Sequence, residues 1–98
     1  SKKSLCIVVC SNGYPDKYKK HIEIKNLDTI NLNVNDFIFH AGTERKGDKL
    51  YSVGGRVLNF ISISDSFAKA KENIIKNLNT LNWSEGFYRR DIGYKVIK

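Results

Sequence analysis

Long apolar runs are the first thing this 98-residue chain lacks. Its longest, Leu5 to Cys10, is far short of the ~18 residues that a membrane-spanning helix needs, so no transmembrane helix is expected. Proline occurs once, at Pro15, and no Pro/Ser-rich linker, low-complexity tract or internal repeat is legible. At 11.2 kDa that reads as one small domain. Cysteine is limited to Cys6 and Cys10, histidine to His21 and His40, and their spacing is not that of zinc ligands. Four residues of extended strand span ~13 Å, whereas a disulfide needs Cα atoms within ~7 Å. The two cysteines are therefore expected as small buried hydrophobes in a reducing compartment. The opening Ser-Lys-Lys-Ser has no apolar stretch of a signal peptide. A soluble, cytoplasmic chain is the expectation.

Acidic side chains are also scarce, 10 against 17 Lys and Arg, for a formal charge of +7. Such a balance permits nucleic acid, acidic membrane or phosphorylated ligands. The excess is almost all lysine, 13 Lys to 4 Arg, and accompanies 10 Asn and 11 Ile. That combination reads as the stamp of an AT-rich coding sequence, which raises the isoelectric point without selecting a partner. Apolar residues make up 41% of the chain, enough for a core and too many for wholesale disorder.

Residues 5–10 read as a buried strand and Ser11 to Asp16 as a cluster of turn formers. His21 to Ile24 alternates weakly, as a short strand leading into Asn26 and Asp28 would. Asp36 to His40 is strand-like, with Phe37 and Phe39 on one face and Ile38 on the other. Glu44 to Lys49 is expected as an exposed hairpin tip, followed by strands over Leu50 to Val53 and Arg56 to Ile63 that Gly54-Gly55 interrupts. Phe67, Ala70, Ile74, Leu78 and Leu81 recur at helical spacing, so a helix is predicted over about 66–81, capped by Ser64, Asp65 or Ser66. Lys69, Lys71, Lys76 and several of its asparagines are expected to point away from the apolar face. Strands ahead of one long helix define an α+β domain, a mainly antiparallel sheet with the helix packed on it.

Catalytic chemistry is poorly represented. No Ser or Cys sits in a nucleophile elbow, and Gly54-Gly55-Arg56 lacks the spacing of a P-loop or dinucleotide fingerprint. His40 reads as hydrogen-bonded at a strand end. Tyr14, Tyr18, Tyr51, Phe60, Phe67, Trp83, Phe87 and Tyr88 do not cluster as one aromatic-basic motif, so core packing is preferred to a base-stacking platform.

Four strings are left over: Gly13-Tyr14-Pro15, Phe39-His40-Ala41-Gly42-Thr43, Gly54-Gly55-Arg56-Val57-Leu58 and Phe87-Tyr88-Arg89-Arg90-Asp91-Ile92-Gly93. In this order and spacing they resemble the C-terminal domain of the phosphoribosylamine–glycine ligase family, also called glycinamide ribonucleotide synthetases, from about Cys10 to Lys95. The resemblance implies part of an ATP-grasp enzyme of purine biosynthesis. Such an enzyme activates the carboxylate of glycine with ATP and magnesium as an acyl phosphate, which the amine of 5-phosphoribosylamine attacks. ATP and Mg2+ would be held by the preceding ATP-grasp region, and none by these residues. The N-terminal and ATP-grasp domains of the same enzyme would be the partners, with no nucleic acid and no membrane. The fragment alone would be inactive.

The same resemblance marks Gly54, Gly55, Arg56, His40, Thr43, Arg89, Arg90 and Asp91 as substrate-binding or domain-interface residues. Arg56 can present a planar fork to a phosphate or a carboxylate, or serve an inter-domain salt bridge. Asp91 is expected to pair with one arginine or with a neighbouring domain. Thr43 can cap a turn or reach a cleft. The family tends to have glycine where this chain has Asp16, His21 and Asn26, residue types that tolerate positive φ. It has Asn where this chain has Val53. A free-standing basic module binding RNA or DNA, and a plain interaction domain, remain as competing readings.

Overall fold

A computed structural model describes residues 2–90 together with Val96 and Ile97. Asp91 lies outside the described residues. The central element is β1, Lys2–Ser11, where the apolar run from Leu5 to Cys10 is flanked on both sides. Strand β6, Arg56–Ser64, pairs with it antiparallel on one side. Strands β7, Gly86–Arg90, and β8, Val96–Ile97, pair with it antiparallel on the other. Strand β3, Asp36–His40, adds to β6 and forms an edge, giving the order β3-β6-β1-β7.

Among the described residues a second, three-stranded antiparallel sheet is built from β2, Ile22–Glu23, β5, Lys49–Ser52, and β4, Thr43–Lys46, in that order. Here the sequence reading is corrected. Glu44 to Lys46 are strand, and only Gly47-Asp48 form the tip. Gly47 supplies the turn's positive φ of 64°.

Helix α1, Phe67–Leu81, lies where its spacing predicts, with the Ser66 side chain accepting a hydrogen bond from the Lys69 backbone N–H. Asn82 closes it in the left-handed conformation, φ 46°. Ala70, Ile74, Leu78 and Leu81 join Leu5, Ile7, Val9, Leu58 and Phe60 in one core, which Ile24 and Leu50 extend beneath the small sheet. Asn77 is an asparagine of the helix that turns inward. It is buried, and its amide donates to the buried carboxylate of Asp36 at 3.4 Å. The Ser62 hydroxyl donates to the other oxygen of that carboxylate at 2.8 Å and accepts from Asn73 at 3.3 Å. These polar groups sit between helix and sheet with their hydrogen bonds made, as burial demands.

The expectation of core packing for the aromatics holds for Phe60, and Trp83 packs against the core edge. It fails for Tyr88, which is exposed. Cys10 is fully buried, Cys6 partly so, and no disulfide joins them. His21 and Asn26 do adopt positive φ, 60° and 69°, whereas Asp16 does not.

One irregularity positions the site. Val9 faces Leu58, but the next residue, Cys10, faces Arg56. Val57 is therefore the extra residue of a β-bulge. A regular strand would put Arg56 on the same face as Leu58, under the helix. The bulge turns it to the outer face of the sheet, beside Cys10.

Candidate functional site

The glycines at the start of β6 meet two neighbours. A Cβ on Gly42 would stand 2.4 Å from the Arg56 carbonyl oxygen and 2.9 Å from the Gly54 Cα, so the backbones of the β3–β4 and β5–β6 connections touch directly. The Gly42 carbonyl accepts from both Val53 N–H, at 2.9 Å, and Gly54 N–H, at 3.2 Å. On the other side Ser11 anchors the turn. Its backbone N–H donates to Gly55 O at 2.8 Å and its hydroxyl to Gly54 O at 3.1 Å. At Gly55 the close neighbour is a side chain. A Cβ there would lie 1.9 Å from Cδ1 of Tyr14. The two glycines thus admit one backbone and one aromatic ring.

Tyr14 links the rest. Its hydroxyl accepts from Nε of Arg56 at 3.2 Å. The Arg89 guanidinium lies over its ring, 5.9 Å from the centroid. Tyr18 meets it edge-on at 6.0 Å. Both arginines are exposed, and among the described residues neither forms a salt bridge with a carboxylate. Beneath them burial raises the Cys10 thiol above its ordinary pKa, opposed by the positive charge of Arg89 and Arg56. A cleft of about 470 Å3 continues from this edge, with Ser11 and Tyr18 in its wall and Lys17 and Lys19 among its lining.

His40 and Thr43 bracket the Ala41-Gly42 turn and hydrogen-bond each other, Nδ1 to Oγ1, at 2.8 Å. The contact gives His40 a hydrogen bond at a strand end and lets Thr43 tie the turn, the local one of the two roles foreseen for it. Gly54, Gly55, Arg56 and Arg89 come together around Tyr14. Arg90 faces Ile7 across the β1–β7 ladder, one residue beyond Arg89. The pairing expected for Asp91 lies outside the described residues. Sequence reasoning assigned no site role to Tyr14 or Ser11. Tyr14 stood in a string singled out for its turn residues, while nothing in the sequence marks Ser11. Among the described residues no group of three or more His, Cys, Asp or Glu side chains converges as metal ligands do, and no helix is long and apolar enough to cross a membrane.

A bulged antiparallel sheet under one helix, with Arg56 and Arg89 displayed on its outer face, defines a small α+β domain. Residues 4–95 match the family model described as "Phosphoribosylglycinamide synthetase, C domain". The chain belongs to that family. It is 43% identical over 93 residues to a phosphoribosylamine–glycine ligase of Fusobacterium nucleatum, covering 94% of this chain and 22% of the relative. A phosphoribosylamine–glycine ligase of Caldanaerobacter subterraneus is 35% identical over 91 residues, 93% of this chain and 21% of that protein. The crystal structure of the Thermotoga maritima phosphoribosylamine–glycine ligase superposes with a TM-score of 0.69 at 28% identity, over 88% of this chain and 20% of that one. The chain spans about a fifth of the length of the curated relatives it matches.

Proposed function

We propose that this chain works as the C-terminal domain of a phosphoribosylamine–glycine ligase, a single domain whose N-terminal and ATP-grasp partners lie elsewhere in the enzyme. The observation that carries the reading is its 43% identity to such a ligase over 94% of its length. In the proposed reaction the carboxylate of glycine takes the γ-phosphoryl group of ATP, releasing ADP. The amine of 5-phosphoribosylamine then attacks the acyl carbon and expels phosphate. ATP and Mg2+ belong to the other domains. The domain's part is to close the substrate cleft in the cytoplasmic enzyme, with Gly54, Gly55, Arg56 and Arg89 at its border. The same reading keeps His40, Thr43, Arg90 and Asp91 as further substrate-binding or domain-interface residues.

The test is the assembled enzyme. A polypeptide joining this domain to the preceding domains is expected to form glycinamide ribonucleotide from glycine, 5-phosphoribosylamine and ATP. Arg56→Lys keeps the charge but loses the planar fork. It is expected to lower kcat/KM for phosphoribosylamine with little change in Tm, because the Arg56 side chain is exposed. Failure to form product, together with salt-sensitive binding of a random oligonucleotide, would favour the basic nucleic-acid-binding module instead.

A further inference from the structure

We infer that Asn12 is a covalent modification site: its side-chain amide condenses with the Gly13 backbone nitrogen, and ring opening leaves aspartate or isoaspartate in the turn that seats Tyr14. Nothing in this depends on the ligase reading.

Ring closure onto an asparagine side chain needs the next backbone nitrogen to be unhindered, and glycine, with no Cβ, hinders it least. Of the ten asparagines, Asn12 alone precedes a glycine. The others precede Leu, Val, Asp, Phe, Ile, Thr or Trp. Asn12 and Gly13 are both exposed in a turn, and the Gly13 N–H makes no hydrogen bond among the described residues. The fold also forbids a bulkier residue there. Gly13 has a φ of 97°, and a Cβ on it would stand 2.0 Å from the Lys17 carbonyl oxygen. The turn therefore requires the residue that makes Asn12 reactive.

The chemistry needs only hydroxide and water. The Gly13 amide loses its proton to hydroxide, and its nitrogen attacks Cγ of Asn12. The N–Cγ bond closes a five-membered ring as the Cγ–Nδ2 bond breaks. Nδ2 leaves as ammonia, taking a proton from water and regenerating hydroxide. Water then opens the ring. Cleavage at Cγ gives aspartate, and cleavage at the Asn12 carbonyl carbon gives isoaspartate, whose main chain runs through Cβ. One water is consumed for each ammonia released.

The contacts of Asn12 set the consequence. Its backbone N–H donates to Glu85 O at 3.1 Å and Nδ2 to Ser84 O at 3.2 Å, so it clamps the β1–β2 connection to the turn before β7. Tyr14 N–H donates to Ser11 O at 3.1 Å across the same turn. The product exchanges the Nδ2 donor for a carboxylate oxygen facing the Ser84 carbonyl, which ends that hydrogen bond. Isoaspartate also adds a backbone carbon between Ser11 and Tyr14. The ring of Tyr14 then loses its place over Gly55, and its hydroxyl loses Arg56. In the closed turn Ser84 holds Nδ2, so the reaction runs through openings of this exposed segment.

The experiment is ageing of the 98-residue chain at mildly alkaline pH, followed by peptide mapping and mass spectrometry. A gain of about one dalton is expected, confined to the peptide holding Asn12. Its rate should rise with pH, and an isoaspartyl methyltransferase should label the product. A synthetic peptide spanning residues 10–16, free of the clamp, should react about fivefold faster. Asn12→Gln keeps an amide but would need a larger ring, and is expected to stay unmodified. Aged chain, separated from fresh by its lost positive charge, should show displaced NMR signals for the Tyr14 ring and the Arg56 Nε–H. A chain that stays intact while the peptide converts would overturn the site, as would modification that begins at another asparagine. Unmoved Tyr14 and Arg56 signals in the modified chain would overturn its consequence.

Discussion

Asp36 shows how much one polar side chain organises here. It is a carboxylate 4% exposed, held by Ser62 at 2.8 Å and Asn77 at 3.4 Å, with its own backbone N–H bonded to Asn33 O at 3.0 Å. The network joins edge strand β3 to β6 and to the middle of α1, and so sets the register of helix on sheet. Asp36→Ala would leave two buried donors without acceptors, a loss of about 1–3 kcal/mol for the desolvated groups. Urea denaturation is expected to show a drop in that range. Cys10 makes a second prediction at this scale. Burial raises its thiol above the ordinary 9.0, so the fold favours the protonated form. Below pH 9 folded and unfolded chains are both protonated and nothing is lost. As pH climbs past that value the unfolded chain releases its proton first and stability declines until the folded thiol ionises. Denaturation midpoints measured from pH 8 upward should fall in this window, and Cys10→Ala should flatten that slope whatever it does to the starting level.

Elements differ in how openly the sequence declares them. Helix α1 is set by the apolar spacing of Ala70, Ile74, Leu78 and Leu81, all buried. Leu78→Ala is expected to cost on the order of 2–5 kcal/mol, read as a lowered denaturation midpoint, and an unchanged midpoint would mean the face is misassigned. Strand β1 was equally legible, since a run apolar on both faces suits a strand covered on both. The small sheet was legible only in part, through β5 and the weak alternation over β2. Strand β2 is two residues long, and β4 reads Thr-Glu-Arg-Lys with no apolar alternation, so pairing with β5 rather than composition makes it a strand. Gly54-Gly55 allows a bulge or a close backbone approach; the approach is made by Gly42, and the bulge falls just beyond the pair, at Val57. The site inherits that difficulty. Gly54, Gly55 and Arg56 stood out through resemblance and by their odd composition. Tyr14, 42 residues away from Arg56, enters only when Val57 bulges and Gly55 leaves room for its ring. Asn77 was hidden for the same reason, its partner lying 41 residues back in the chain.

On the whole molecule the helix covers one face of the main sheet, while the outer face of β3 remains in water. Phe37 and Phe39 stack there at 6.3 Å, 39% and 54% exposed, and the preceding loop leaves Leu32 and Val34 exposed as well. Exposed aromatics on an edge strand are a liability for a free-standing domain. They become assets once covered. The relatives are several times longer than this chain, which matches 22% of the Fusobacterium ligase; on the function proposed above, the other domains of such an enzyme are the occupant expected on this face. A docked aromatic pair contributes through burial, roughly 25 cal/mol for each Å2 removed from water. Replacing both, Phe37→Ser with Phe39→Ser, should then separate two properties. In the isolated chain the denaturation midpoint should hardly move, because neither ring lies in the core, and self-association at high concentration should fall. In the assembled enzyme the same pair should loosen the domain, seen as faster proteolytic release and lower ligase activity. A large loss of stability in the isolated chain would instead place these rings in its own fold, and an assembled enzyme indifferent to the change would show that this face stays in solvent.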